Sequence, residues 1–487
     1  MQLFLNLLPL ISIGAFMCND SLAKQEQPSP NIVFIMADDL GWKDVGFMGS
    51  KYYETPNIDN LAKKGMVFTD AYACAANCAP TRAAFLSGRY SPKNGVYTVR
   101  NPDRGPDSLR KLIPIFNRKV VNNEPVLDSS EVTIAEILKE EGYATALIGK
   151  WHLGDDPHYG PKSQGFDVNV GGWHAGHPKS YFSPYSNPML EDGPEREYLT
   201  DRLASEATQF IEKNRQNPFF LYFASYSPHR PIQAKEEDIK HFEVKEANNG
   251  QNDPVYAAMI YSLDKAVGKI VKKIEELNLD KKTLIVFYSD NGGEGGYRND
   301  NIFWRQSGIT SNEPLRGGKG MYYEGGIRVP LIFYWPEKID TNRQCSVPVN
   351  SVDFLPTFLD VVGIQRPPTL ALDGKSLVPL FKDERTFSRE AIYWHFPCYL
   401  EAKKGTYRSR PVGAIRSGNY KLIEFFEDNK LELYNLEKDI GESYNLVDKM
   451  PEKVKELYQK LKDWRKSIDA TVPSELNPKY YKYEERK

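Results

Sequence analysis

The chain has 487 residues, with 63 Lys and Arg against 65 Asp and Glu and a formal net charge of −2. That balance excludes a partner held by overall charge, such as nucleic acid or an anionic membrane surface, so any anion site must be a local cluster. The length suffices for one large core and a smaller domain, and 29 Tyr and 24 Phe supply aromatic surface beyond the needs of a core.

Residues 3–17 are an apolar run followed by Ser21-x-Ala23. The run is too short for a spanning helix and reads as a signal peptide over 1–23, cleaved after Ala23, which implies export to a periplasm or the medium. No other stretch is apolar enough to span a membrane. Removal of the leader leaves Cys74, Cys78, Cys345 and Cys398, which are neither a disulfide framework nor a zinc-spaced set. The only Asn-x-Ser/Thr sequon is at Asn19, inside the leader, which favours a bacterial origin.

Residues 31–36 are continuously apolar and read as a strand buried on both faces, with Asp38 and Asp39 at its carboxyl end. A short helix is expected over 57–64. At 77–88 a second helix begins, with Pro80 placed for its first position, Cys78 at the N-terminus and Arg82 one turn on. Residues 90–128 lack periodicity and read as a surface loop or insertion. Thr133 and Glu136 form a capping box for a helix ending at Gly142. Strands follow at 144–148, 218–224 and 283–288, with helices at 201–215 and 255–277 between them. The polar segments 149–154, 226–231 and 289–293 each follow a strand, where ligands bind in parallel α/β sheets. Short strands at 391–396, 412–415, 420–425 and 431–434 and a helix at 451–468 read as an antiparallel C-terminal unit.

Asp38, Asp39, Asp290 and Asn291 are oxygen donors on two strand ends and suit one hard cation, Ca²⁺ or Mg²⁺ rather than zinc. Lys150 and His152 share one side of an extended segment, His229 lies between prolines, and Lys319 lies in a glycine-rich loop.

Cys78-x-Pro80-Thr81-Arg82 with Ser87-Gly88 resembles the sulfatase signature, and Gly149-Lys150-Trp151-His152-x-Gly154 resembles the second motif of that family. The resemblance extends from Asn31 to about Asn445. It implies an alkaline-phosphatase-like fold, with a catalytic α/β domain over 24–380 and a smaller α+β subdomain over 381–487. It implies that a formylglycine-generating or anaerobic maturase enzyme converts Cys78 to formylglycine. The hydrated aldehyde is then the nucleophile, Ca²⁺ is held by Asp38, Asp39, Asp290, Asn291 and residue 78, and Arg82, Lys150, His152, His229, Lys319 and Asp290 complete the catalytic set. A related phosphohydrolase or phosphotransferase, or a silent sulfated-glycan-binding protein with Cys78 unconverted, are the alternatives. A sulfated carbohydrate is the expected substrate, because His174 and His177 follow the Lys150 segment. Trp173, Tyr181, Phe182, Tyr185, Tyr297, Arg298 and Trp304 are expected to add an aromatic rim, with His174 the first choice for a substrate contact.

Overall fold

The computed structural model describes residues 29–100, 107–295, 309–382, 384–401 and 407–480. The leader, Tyr297, Arg298 and Trp304 lie outside the described residues.

The strand Asn31–Ala37 is the middle of the fold, and every one of its residues is buried. Its alternation explains why no polar position interrupts it. Val33, Ile35 and Ala37 face one core, while Ile32, Phe34 and Met36 face another. The first core is closed by the helices Pro56–Lys64, Leu199–Lys213, Glu236–Glu243 and Pro254–Glu276, the second by Cys78–Ser87, Ile134–Glu140 and Phe354–Val362. Asn31 pins the strand's start, donating from Nδ2 to Thr283 Oγ1 at 3.1 Å and accepting from Phe219 N at 3.2 Å.

The Asn31–Ala37 strand pairs with Phe219–Ala224 on one side and with Thr283–Ser289 on the other, both in parallel. Ala144–Gly149 and then Val168–Val170 extend the sheet in parallel beyond Phe219–Ala224. Leu331–Tyr334 runs antiparallel between Thr283–Ser289 and Met66–Phe68, and Arg343–Cys345 ends the eight-stranded sheet. The sheet is therefore mixed and mostly parallel, with helices on both faces, as expected. Hydrogen bonds across the strand ends set the site's backbone. Asp38 N donates to Ser227 O at 3.2 Å, Asp290 N to Ala37 O at 3.2 Å, and Lys150 N to Ala224 O at 2.7 Å.

Three readings change. The helix at 78 begins at Cys78 itself, so Pro80 is its third residue; a proline anywhere in the first turn still breaks no intrahelical bond. The 90–128 segment is not a bare surface loop. It carries the short helix Ser91–Asn94 and a Val120–Val121/Glu124–Pro125 hairpin, and Val96, Leu112, Val126 and Leu127 are buried. Tyr181 and Tyr185 are packing residues, each under 2% exposed. The Tyr181 hydroxyl donates to the carbonyls of Tyr226 and His229 at 2.6 and 2.8 Å, which removes it from any rim.

The C-terminal unit is a four-stranded antiparallel sheet, Ile392–Phe396, Val412–Ser417, Tyr420–Phe425 and Lys430–Asn435 in spatial order. The helix Pro451–Ser467 covers one face, with Leu457 and Leu461 on Ile415, Leu422 and Leu433. Trp394 on the other face packs with Tyr72 and Ile327, and its Nε1 donates to Ala73 O at 2.8 Å, a few residues before Cys78. Lys421 is fully buried and paired to Glu324 at 3.0 Å and Glu442 at 2.9 Å. No helix among the described residues is long and apolar enough to cross a membrane.

Candidate active site

Cys78 enters the sheet's carboxyl end on the first turn of its helix, with Sγ 3.6 Å from Asp38 Oδ1 and 3.9 Å from Asp39 Oδ1. Asp39 has φ 66°, a left-handed backbone that turns its carboxylate back over the strand end. Asp38, Asp39, Cys78 and His229 each offer a ligand atom within 4.8 Å of the others.

Three cations and one imidazole surround the cluster from behind and from the side. Lys150 Nζ donates to both Asp38 oxygens at 2.8 Å. Arg82 is fully buried; its Nε and Nη2 donate to Asp290 Oδ2 at 3.0 and 2.7 Å, and its Nη1 to Lys150 O at 3.1 Å. Lys319 Nζ lies 2.5 Å from Asp39 Oδ2, and His229 Nε2 lies 3.5 Å from the same oxygen. Gly149 has φ 113°, and a Cβ there would meet Ala224 O at 1.9 Å, so only glycine lets the chain turn into Lys150.

Asn291 Nδ2 donates to Asp39 Oδ1 at 2.8 Å, while its Oδ1 is buried with no hydrogen-bond partner. A buried amide oxygen among carboxylates is an unsatisfied acceptor of the type a hard cation takes. The donor set thus fits one. Asp290 lies outside the tightest group; its Oδ1 accepts from Asp39 N at 3.1 Å, and its Oδ2 belongs to Arg82.

Burial sets the ionisation of the site. It pushes Asp290 up to about 6, reinforced by Asp38 and opposed by Arg82 and Lys150. Burial acts on Asp39 the same way, yet Lys319, His229 and Lys150 outweigh it and hold that carboxyl below its usual range. Burial and then Lys150 and Arg82 keep His152 neutral, and burial with Lys319 takes His229 down to about 3. The Cys78 thiol is raised by burial, so an unmodified Cys78 is no thiolate.

A cavity of about 390 Å³ opens over Cys78, His152, His229 and Lys319. His174 and His177 both line it, so the structure brings these two together with the Cys78 cluster, whereas Arg82 and Lys150 lie buried beneath. His174 is held by Asp155, N to Oδ1 at 2.9 Å and Nδ1 to Oδ2 at 2.6 Å. The His177 ring lies 6.0 Å from that of His229. His152 has φ 66°, its N donates to Trp173 O at 2.9 Å, and a Cβ on Gly176 would strike its ring at 2.4 Å. Trp173 is therefore a backbone support with a half-buried ring.

Sequence reasoning missed Arg230, Glu294 and Arg408, which also line the cavity. Glu294 accepts from Arg230 Nε at 3.0 Å and from Arg408 Nη2 at 3.1 Å. Arg230 follows His229 directly and was within reach of the motif; Arg408 comes from the C-terminal unit and carries no local signal.

A potential nucleophile between two carboxylates, ringed by cations at the ends of parallel strands, defines a hydrolase for anionic esters. The family model described as Sulfatase matches residues 30–364, and that described as N-sulphoglucosamine sulphohydrolase, C-terminal, matches residues 318–468. A sulfatase of Formosa agariphila is 32% identical over 511 residues, covering 90% of this chain and 88% of that protein. The N-acetylgalactosamine-6-sulfatase of Rattus norvegicus is 31% identical, covering 85% and 74%. The crystal structure of Ps i-CgsB in complex with k-i-k-neocarrahexaose superposes with a TM-score of 0.74 at 33% identity, covering 94% and 96%. The chain belongs to the sulfatase family and is a sulfuric ester hydrolase.

Proposed function

We propose that the protein removes sulfate from a sulfated carbohydrate, with residue 78 in its formylglycine form and one Ca²⁺ held by Asp38, Asp39, Asp290, Asn291 and residue 78. The observation that carries this is the position of Cys78 Sγ, 3.6 and 3.9 Å from two carboxylates, at the base of a cavity that His152, His229 and Lys319 also line. Two relatives support the sugar. One is an N-acetylgalactosamine sulfatase by name, and the other is solved with a neocarrahexaose. The reading includes a leader cleaved after Ala23, export, and a maturase enzyme acting on Cys78 before or during export.

When bound, the cation supplies positive charge that acidifies a neighbouring hydroxyl and offsets the charge of the sulfate. As an aldehyde hydrate, residue 78 supplies one hydroxyl for attack on sulfur and a second whose deprotonation releases sulfate. The chain's residues do the rest. Asp290, held by Arg82, takes the proton of the attacking hydroxyl. Lys319 donates to a sulfate oxygen from above Asp39, while Lys150 beneath Asp38 adds charge under the sulfate. His229 Nδ1–H is held by the Arg230 carbonyl at 2.8 Å. Its Nε2 therefore faces the site as an acceptor, and the Lys319 ammonium passes a proton to the departing sugar oxygen. His152, kept neutral and with Nδ1 unpartnered, accepts the proton of the second hydroxyl.

The test is a substrate panel of an aryl sulfate, a steroid sulfate and sulfated oligosaccharides of animal and algal origin, with elemental analysis of the same protein. The proposal expects the sugars to be preferred and about one calcium per chain. Preference for the steroid, or active protein without an alkaline-earth metal, contradicts it.

A further inference from the structure

The wall of the catalytic cavity does not end at Lys319. Gly320 has φ 88°, and a Cβ there would meet Leu400 Cδ2 at 2.7 Å and Arg408 Cδ at 2.9 Å. Leu400 and Arg408 of the C-terminal unit therefore press against the backbone that carries Lys319. Arg408 lines the catalytic cavity and also a second cavity of about 200 Å³. The residues after Gly320, namely Met321, Tyr322 and Tyr323, form one side of that second cavity, and Tyr407, Arg410 and Phe425 belong to the other. The two cavities share a wall built from one continuous segment, 319–323, and one shared arginine.

The chemistry of the second cavity is specific. Tyr323, Tyr407 and Phe425 are each half-buried, Tyr323 and Phe425 packing one side on the core, and the part of each ring left open lines the cavity. Arg410 is exposed, with Nη1 2.7 Å from Glu427 Oε2. Aromatic faces suit the C–H faces of sugar rings, and planar guanidinium groups suit a second sulfate or carboxylate. A steroid or simple aryl ester ends at the catalytic cavity and has nothing to place here.

We infer that this groove is a subsite for the neighbouring sugar of the same glycan, with Arg408 and Arg410 receiving a second anionic group on it. This rests on the carbohydrate-sulfatase reading and extends it: the preferred substrate is a chain carrying charge on adjacent sugars, not a sulfated monosaccharide. Arg408 lines both cavities and sets the second beside the first, which points to the next part of the same substrate as its occupant.

The experiment compares wild type with Tyr407→Ala and Arg410→Gln, each verified as folded by its melting temperature. The probes are sulfated disaccharides and hexasaccharides of carrageenan and of chondroitin. Wild type is expected to show a kcat/KM about tenfold higher for the hexasaccharide than for the disaccharide of the polymer it cleaves. Both variants are expected to bring that ratio close to one, mainly through the KM of the longer chain. Equal values for the two lengths in wild type, or an undiminished ratio in both variants, overturns the inference while leaving sulfatase action on sugars standing. Turnover of the aryl or steroid sulfate with none on any sulfated oligosaccharide overturns the carbohydrate reading and this inference with it.

Discussion

Replacing Arg82 by Ala tests how the site is held. Arg82 is fully buried and gives Asp290 Oδ2 two donors, at 3.0 and 2.7 Å, with a third N–H to the Lys150 carbonyl and a longer contact of 3.3 Å to the Tyr222 hydroxyl. Asp290 would lose its only cation within hydrogen-bond distance among the described residues and remain beside Asp38, which repels it. Removing one partner of a buried ion pair costs about 3–5 kcal/mol, because the other charge stays desolvated. Urea unfolding followed by tryptophan fluorescence, compared at matched slope, reads this directly. Asp290→Asn in the Arg82→Ala background takes away the stranded charge and is expected to recover at least about 1 kcal/mol. A loss below about 0.5 kcal/mol for Arg82→Ala, or no recovery in the double variant, would show that the pair does not carry the strand ends and would refute the reasoning.

Gly149→Ala places a Cβ against the Ala224 carbonyl, which is backbone and cannot rotate away. The variant should lose about 3 kcal/mol or more of stability and most turnover, and a kcat within twofold of wild type would contradict the close approach. Asp264 accepts from Asn57 N, Asn57 Nδ2 and Ile58 N, and burial raises it to about 6 against a usual 3.8. Its folded affinity for a proton exceeds the unfolded one, so its contribution is full below about pH 4 and is lost as pH rises through about 6, on the order of 3 kcal/mol. Asp264→Asn should flatten the stability profile in that window relative to wild type; an unchanged difference across pH 4 to 6 would oppose this. His174→Ala should lower kcat/KM for sulfated sugars by about tenfold and for an aryl sulfate much less, since only the sugar reaches the Asp155-held ring. Equal losses on both substrates would remove His174 from the sugar contacts.

The parts of the site legible in the sequence are those written within a few residues. The apolar strand at 31–36 with Asp38 and Asp39 after it could be read because burial on both faces leaves no polar position, and the structure divides its residues between two cores. The Cys78 helix could be read from its own short pattern, whereas the Lys150 turn was read through its resemblance to the family's second motif. Leu331–Tyr334, only four residues long and antiparallel in an otherwise parallel region, has no periodicity to separate it from a loop. Tyr181 and Tyr185 misled because a tyrosine reads alike whether its hydroxyl meets solvent or a buried carbonyl; here it meets carbonyls. Arg408 could not be read at all, since its place beside Lys319 depends on how the C-terminal unit packs on Gly320.

The central claim is that residue 78 acts as an aldehyde. Peptide mass spectrometry of active protein from a host with maturation machinery decides it, using the peptide spanning Cys78 before and after treatment with a thiol alkylating reagent and with a carbonyl-reactive hydrazide. The account predicts a peptide in which the thiol is replaced by an aldehyde, labelled by the hydrazide and not by the alkylating reagent, in proportion to activity across preparations. Fully active protein in which Cys78 is quantitatively alkylated would contradict it.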